Sequence, residues 1–349
     1  MECVGQVVNQ SLKRSWCISC IALSVLLIAA SPANAGSADP DNGSFQEWLA
    51  GIQAEAKRKG FKQSTLQALE NIEPDPRVLK FDKRQPEFVQ TFEEYLEARV
   101  TPYRINTARK YFTEHRQKLT EIGAAYNVDP EYILAFWGLE SNFGKYQGTY
   151  SIIRSLATLG HDPRRSRFFT RELFNALQIL DEGHVTADKF VGGWAGAMGQ
   201  NQFMPSSFLN YAQDFDGDGK KNIWGSQVDV WASIANYLKK NSWREGEIWG
   251  LRVTLTQPID FESLRPVKVR SGCRAYKSHT KTISIDAWRK MGVEIDTAIS
   301  PETQFAMVIP AADETFGYLV GPNFSRILAY NCANKYAVSI GLMADEILK

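Results

Sequence analysis

Two groups of oxygen-bearing side chains in this 349-residue chain have the type and spacing that chemistry requires. The first is one carboxylate, Glu140, near the end of Asp129-Pro-Glu-Tyr-Ile-Leu-Ala-Phe-Trp-Gly-Leu-Glu-Ser-Asn-Phe-Gly144. Ile133, Phe136, Trp137 and Glu140 recur at three- and four-residue intervals, so a helix would carry them on one face. Desolvation among large apolar side chains and the negative end of a helix dipole both disfavour the anion, so the Glu140 pKa is expected to rise. A carboxyl group that keeps its proton near neutral pH can act as a general acid. The second group is the loop Asp214-Phe-Asp-Gly-Asp-Gly-Lys-Lys-Asn-Ile-Trp-Gly225. Oxygens at loop positions 1, 3 and 5 followed by glycine at 6 match a calcium loop of EF-hand type. Asp214, Asp216 and Asp218 supply those oxygens, Lys220 would offer its backbone carbonyl, and Asn222 could act directly or through water. The bidentate glutamate of position 12 is replaced by Gly225, and Asp229, four residues on, could close the shell. An Asp/Gly-rich surface loop without an ion is the alternative.

A third stretch, Trp194-Ala-Gly-Ala-Met-Gly-Gln-Asn-Gln-Phe-Met-Pro-Ser-Ser207, mixes glycines with side-chain amides. Such a segment can approach a ligand closely and orient its hydroxyl or acetamido groups, or it can be a structural turn. Its spacing is not that of a dinucleotide-binding loop. His115, His161, His184 and His279 are scattered and form no zinc-type spacing. No nucleophile-elbow serine or phosphate loop is present.

The elements that must position these groups are mostly helical. Apolar periodicity and capping residues predict helices over Phe45–Lys59, Gln63–Glu70, Pro86–Arg99, Pro102–Tyr126, Ser151–Leu159, Arg164–Glu182, Ser206 or Ser207 to Ala212, and Val228–Lys240. In the Glu140 helix, Asp129 is expected to cap the first turn and Pro130 to take the first position. From Trp249 to about Val320 the texture becomes short and β-branched, with strands expected at Arg252–Thr256, Val267–Val269, Thr282–Ile285 and Ala306–Ile309. Arg326–Leu348 should begin irregularly and end as a helix. The body is therefore read as mostly helical, with a small β-rich insertion or appendage.

Residues 1–35 have the form of a secretory signal peptide: a basic start at Lys13 and Arg14, an apolar run from Ile18 to Ala30, and Ala33-Asn34-Ala35 as cleavage site. The run is short for a membrane span, which needs roughly 20 residues. A retained N-terminal anchor is the alternative. The following stretch, 36–45, is expected to be a mobile mature N-terminus. Cleavage after Ala35 would remove Lys13, Arg14 and Glu2 and leave acidic and basic residues in equal number, which gives no case for attraction to nucleic acid or anionic membrane. Cys3, Cys17 and Cys20 would leave with the signal. Cys273 and Cys332 would then meet an oxidising compartment as a disulfide, or remain as two buried thiols.

Taken together, Gly138-Leu-Glu-Ser-Asn-Phe-Gly144, the stretch Trp194–Ser207 and the loop from Asp214 to Asp229 resemble, in that order, the membrane-bound lytic murein transglycosylase B family (glycoside hydrolase family 103). The resemblance runs from about Phe45 through Tyr330-Asn-Cys-Ala-Asn-Lys-Tyr336 to the end. It implies an α+β, predominantly α fold: an N-terminal helical region over 36–128, a lysozyme-like core over 129–248, a β-rich subdomain over 249–325, and a closing segment over 326–349 that packs back on the core. It implies cleavage of the β-1,4 bond between N-acetylmuramic acid and N-acetylglucosamine of peptidoglycan without water, leaving a 1,6-anhydro end. Glu140 takes the place of the family's single catalytic glutamate, acid first and then base toward the sugar's C6 hydroxyl. No second carboxylate at glycosidase spacing is identifiable, so the substrate's acetamido group is expected to steady the positive charge.

By motif position, Gln202 and Asn142 would contact substrate. Tyr95, Tyr237, Tyr330 and Tyr336 would line the cleft, and Asp214, Asp216, Asp218, Lys220, Asn222 and Asp229 would hold a structural Ca2+. Two departures stand out. The family's serine that steadies the glutamate is Gly193 here, so another group orients Glu140 or activity is reduced. The metal loop is one residue longer before Asp229. With no lipid-attachment cysteine after the apolar run and no further module after Lys349, a soluble, monomeric periplasmic form is expected. A water-using muramidase and a non-catalytic, calcium-stabilised glycan-binding protein are the competing readings.

Overall fold

The computed structural model describes residues 43–83, 90–309 and 315–349. The expected signal peptide, its cleavage site, nearly all of the expected mobile N-terminus and the expected helix start at Pro86 lie outside the described residues. No helix among the described residues is long and apolar enough to cross a membrane.

Helix starts follow the caps that the sequence carries. Helix α1 (Phe45–Arg58) opens on a capping box between Ser44 and Glu47. It is followed by α2 (Gln63–Leu66) and α3 (Pro76–Lys83), and α4 (Phe92–Arg99) opens on a second box, Thr91 with Glu94. The long helix expected over 102–126 is two: α5 (Pro102–Glu114) and α6 (Arg116–Tyr126), broken at His115, whose φ of −117° and ψ of 21° leave the helical region. The break lets α5 lie along the last helix while α6 turns to another neighbour. Then come α7 (Pro130–Ser141), α8 (Ile152–His161, capped by Ser151) and α9 (Ser166–Asp181). Next is α10 (Pro205–Tyr211), which starts on its proline and not on a capping Ser206 or Ser207, and then α11 (Gln227–Lys240, capped by Ser226).

A two-stranded ribbon, β1 (Tyr150–Ser151) with β2 (Val191–Gly192), sits between α7 and α10 in the chain. The C-terminal part holds an antiparallel sheet of β3 (Gly250–Leu255), β4 (Ile283–Ser284), β5 (Val293–Glu294), β6 (Gln304–Val308) and β7 (Phe316–Val320), in spatial order β4-β6-β7-β3-β5. Register places Arg252 opposite Tyr318 and Met307 opposite Leu319. The short helix α12 (Ile285–Lys290) follows β4 directly, and α13 (Pro322–Tyr330) and α14 (Asn334–Leu348) close the chain. The strand expected at Val267–Val269 does not form: no neighbouring strand pairs with it and Val267 is wholly exposed. The closing segment is helical from Pro322, earlier than expected, because Pro322 at the first position sets the helical φ.

The sheet is apolar on both faces. Val253, Leu255, Phe305, Met307 and Leu319 form a small core with Ile285 and Trp288 of α12. Val308, Tyr318 and Val320 join the main helical core, where Trp249 packs near Phe324. The β-rich part is therefore a small subdomain with a core of its own, joined to the helical core through Val308, Tyr318 and Val320. Gly341 of α14 makes this possible: a Cβ there would lie 2.1 Å from the Trp249 ring. A disulfide between Cys273 and Cys332, with Cα atoms 5.5 Å apart, ties the segment before α14 to the β-rich part.

Helix α7 is the centre of the molecule. Every residue from Tyr132 to Gly138 is buried, under α5, α6, α11 and α14. The expectation of a single apolar face is corrected by this. The middle of the helix is enclosed on all sides, and only its two ends are partly exposed. Asp129 does not cap the first turn; its carboxylate accepts from Trp243 Nε1 (2.9 Å) and the Gly246 amide (2.9 Å), anchoring the loop after α11.

Candidate active site

Glu140 is the penultimate residue of α7 and is half-buried. The chain then reverses through three successive left-handed residues, Asn142 (φ 50°), Phe143 (φ 59°) and Gly144 (φ 82°). Left-handed backbone is unusual for asparagine and more so for phenylalanine, and a run of it ending a buried helix marks an over-determined turn. Several contacts hold it. Ser141 Oγ donates to the Trp137 carbonyl (3.3 Å) and accepts from the Gly144 amide (3.0 Å), while the Asn142 amide donates to the Gly138 carbonyl (3.1 Å). The Phe143 ring packs edge-on against Trp137, which also meets Tyr111 and Trp231. Trp137 Nε1 donates to Gln200 Oε1 (2.8 Å), and Gln200 Nε2 donates to the Trp224 carbonyl (3.0 Å). Gln200 also explains Gly144, where a Cβ would lie 2.4 Å from Gln200 Oε1. Gln200 and Ser141 were not among the expected site residues. Gln200 lies inside the amide-rich stretch, but nothing in its spacing separates it from Gln202.

Tyr336 orients Glu140. Its hydroxyl donates to Glu140 Oε1 at 2.5 Å from the first turn of α14. Burial and the neighbouring Glu140 charge hold the Tyr336 hydroxyl well above its ordinary pKa, so it stays a donor throughout the pH range in which a carboxyl titrates. Tyr330 is raised in the same way, and its hydroxyl donates to the Asn201 carbonyl at 2.6 Å. Tyr237 is buried, with its hydroxyl on the Ala329 carbonyl at 2.7 Å. The rings of Tyr237, Tyr330, Phe136 and Tyr336 form one continuous wall. Tyr95, on α4, lies near Tyr336 and lines a cavity of about 470 Å³ with Asn334 and Lys335. The structure thus brings the expected tyrosines together. It uses Tyr237 and Tyr330 as packed wall with hydroxyls committed to backbone carbonyls, and not as free stacking platforms.

Gln202, itself left-handed (φ 51°), donates through Nε2 to the Gly199 (2.8 Å) and Gln147 (3.2 Å) carbonyls. Its Oε1 lies beside Gly193, 3.5 Å from where a Cβ would stand, so a side chain at 193 would meet ordinary van der Waals contact. Asn142 Oδ1 is buried and meets no donor among the described residues.

In the acidic loop, Asp214, Asp216 and Asp229 present carboxylate oxygens within 4.8 Å of one another. Asp229 is fully buried and accepts from the amides of Phe215 (2.7 Å) and Asn222 (2.8 Å), and burial pushes its carboxyl above the usual range. A buried carboxylate beside two others fits a cation, because mutual repulsion in a desolvated place needs a positive partner. Asp218 is not part of that close group; it accepts from the Lys220 amide (2.8 Å). Asn222 Oδ1 accepts from the Gly225 (2.9 Å) and Trp224 (3.3 Å) amides, which makes its side chain a turn cap rather than a ligand in this geometry.

A family model described as the transglycosylase SLT domain matches residues 44–345. The chain belongs to that family. It is 32% identical over 250 residues to membrane-bound lytic murein transglycosylase B of Escherichia coli strain K12; the match spans 71% of this chain and 65% of that relative's length. Crystal structures of SltB3 from Pseudomonas aeruginosa are similar in fold. Its complex with NAG-NAM-pentapeptide gives a TM-score of 0.79 at 38% identity, and its complex with NAG-anhNAM-pentapeptide 0.78 at 37%, each covering 87% of this chain and 80% of that one. The Escherichia coli lytic transglycosylase Slt35 in complex with calcium gives 0.71 at 26% identity, covering 86% and 92%. The α+β, predominantly helical, lysozyme-like fold read from the sequence is the fold of this family.

Proposed function

We propose that this protein is a lytic transglycosylase. It would cleave the β-1,4 MurNAc–GlcNAc bond of peptidoglycan and close the muramic acid C6 hydroxyl onto C1. The observation that carries the reading is Glu140, set at the open end of a buried helix and hydrogen-bonded by Tyr336. Protonated Glu140 donates to the glycosidic oxygen; the resulting carboxylate, steadied by the Tyr336 hydroxyl, accepts the C6 hydroxyl proton as that oxygen attacks C1. The substrate's acetamido group supplies charge stabilisation. Gln202 would hold the sugar, whereas the expected substrate contact of Asn142 is not supported because its side-chain oxygen is buried, and the tyrosine wall excludes water, so the internal hydroxyl wins over hydrolysis. Kinship with proteins crystallised with NAG-NAM- and NAG-anhNAM-pentapeptide supports both substrate and product.

The acidic loop would hold a structural Ca2+ through Asp214, Asp216 and Asp229, with the Lys220 carbonyl in reach by loop position. Its contribution would be neutralisation of the buried Asp229 and bracing of the chain between α10 and α11. Secretion to the periplasm and a monomeric state belong to the same proposal. Mass spectrometry of digested sacculi tests the activity: anhydro-muropeptides are expected, and products heavier by one water would assign a muramidase instead. Glu140→Gln should abolish release, whereas full activity of that variant would remove Glu140 from the reaction.

A further inference from the structure

Helix α14 carries Tyr336 in its first turn, yet it starts without a cap of its own. The residue before it is Ala333, whose methyl group can accept from no amide, and no side-chain cap forms there. The start is fastened instead by its first residue. Asn334 Nδ2 donates to Ser278 Oγ (2.9 Å) and to the Ala275 carbonyl (3.3 Å), and Asn334 Oδ1 accepts from His279 Nε2 (2.8 Å). All three partners belong to one short segment of the β-rich part. The Cys273–Cys332 disulfide joins the same two stretches of chain just beyond them. That segment is itself well held. The buried His279 ring lies 5.3 Å from Tyr276 and 5.7 Å from Phe324 between centres, and its backbone pairs with Val308 of β6.

Packing alone does not hold the helix start. Asn334, Cys332, Ala275 and Ser278 border the cavity of about 470 Å³ that Phe92 and Tyr95 of α4 also line. A helix end beside open volume lacks the contacts that would fix it on that side, so the hydrogen bonds and the disulfide carry the task. Lys335 Nζ also donates to the Gln90 carbonyl, through a long and flexible stem. Tyr336 follows Asn334 by two residues, about 3 Å along the helix axis, so a shift of the start is passed on to its ring. Its hydroxyl donates to Glu140 Oε1 at 2.5 Å. Oxygen pairs bond at about 2.5–3.0 Å, so a displacement of about 1 Å would end the contact.

We propose that Asn334, together with the Cys273–Cys332 disulfide, positions the Tyr336 hydroxyl on Glu140, so that the β-rich part sets the acid–base behaviour of the glutamate from outside the helical core. Asn334 acts through Tyr336, which is faced by the titratable groups Glu140, Tyr330 and Tyr95. The inference rests on the transglycosylase reading and names a further positioning residue for its reaction.

The test compares kcat and KM over a pH series for the parent, Asn334→Ala, Tyr336→Phe and the double variant, with a thermal melt of each. Asn334→Ala should lower kcat about tenfold and change KM by no more than about twofold. It should also move the alkaline limb of kcat/KM to higher pH, because a loosened donor stabilises the carboxylate less. In the Tyr336→Phe background the same change should move the limb no further, since the group that Asn334 positions is gone. Reducing the disulfide of the parent, below the melting temperature of its reduced form, should move the limb the same way, and reoxidation should restore it. A folded Asn334→Ala protein with a lowered melting temperature and the parent's limb would assign Asn334 a structural role only and overturn the proposal. A full additional shift in the Tyr336→Phe background would overturn it too, because Asn334 would then reach Glu140 by another route. If Asn334→Ala does not fold, Ser278→Ala removes one of the three bonds and takes its place, with a smaller shift in the same direction and the same two refuting results. Product masses from the parent report separately on the transglycosylase reading: hydrolytic products with the limb shifted as expected would overturn that reading and leave the positioning of Glu140 standing.

Discussion

Tyr336→Phe is the sharpest test of how Glu140 is controlled. The change removes one oxygen and keeps the ring that packs near Phe136. What disappears is a 2.5 Å hydrogen bond from a buried phenol to a carboxylate. A hydrogen bond to a charged group has a net worth of about 1.5–3 kcal/mol. One pH unit corresponds to about 1.4 kcal/mol, so the ionisation of Glu140 should shift by about one to two units. The sign follows from which form the bond favours. A donor stabilises the carboxylate, so removing it makes the acid harder to ionise. The alkaline limb of the kcat/KM profile, where the general acid loses its proton, should move to higher pH. With the carboxyl no longer held in place, kcat at the optimum should fall about tenfold to a hundredfold. The assay is initial-rate release of anhydro-muropeptides across a pH series, with a thermal melt to establish that the variant is folded. A folded variant whose alkaline limb stays put, or moves to lower pH, would refute the assignment of Tyr336 as the group that orients Glu140.

Three further outcomes follow from the same geometry. Excess chelator should lower the melting temperature, because an ion bound only to the folded state stabilises it, while the product remains anhydro; an unmoved melt would count against the metal loop. Reducing the Cys273–Cys332 disulfide, which closes 59 residues, should cost about 4 kcal/mol by loop entropy and appear as a large drop in the denaturation midpoint with reductant present. His279 is buried against Asn334, and burial lowers its pKa, so below the ordinary histidine value near 6.5 the unfolded chain binds a proton that the folded one does not. Stability is therefore full above that pH and declines as pH falls through it, and His279→Gln should flatten that part of the melting-temperature profile. His184, whose pKa burial also lowers, should leave a residual slope of the same sign, and a slope in the variant equal to the parent's would refute the contribution of His279.

The sequence alone picked out Glu140 as the candidate acid, the acidic loop and the order of the motifs around them, because spacing along a chain reports local structure. A calcium-type loop and a carboxylate at a helix end are both decided within about a dozen residues. The helix start at Ser151 was legible for the same reason, a cap and the amide it bonds being three residues apart, whereas the cap at Thr91, inside the helix expected from Pro86, was not read. What the tertiary structure decided is whatever depends on partners far apart in sequence. Periodicity could not show that the middle of the Glu140 helix is enclosed on every side, since enclosure is supplied by α5, α11 and α14. Nor could it show that the capping of α7 by Asp129 would be given up to Trp243 and Gly246, more than a hundred residues away. The hydrogen bond that Glu140 receives from Tyr336 was of this kind as well. Tyr336 was legible as a cleft residue, but its hydroxyl reaches Glu140 only because α14 crosses the end of α7, and the two residues are 196 apart in the chain.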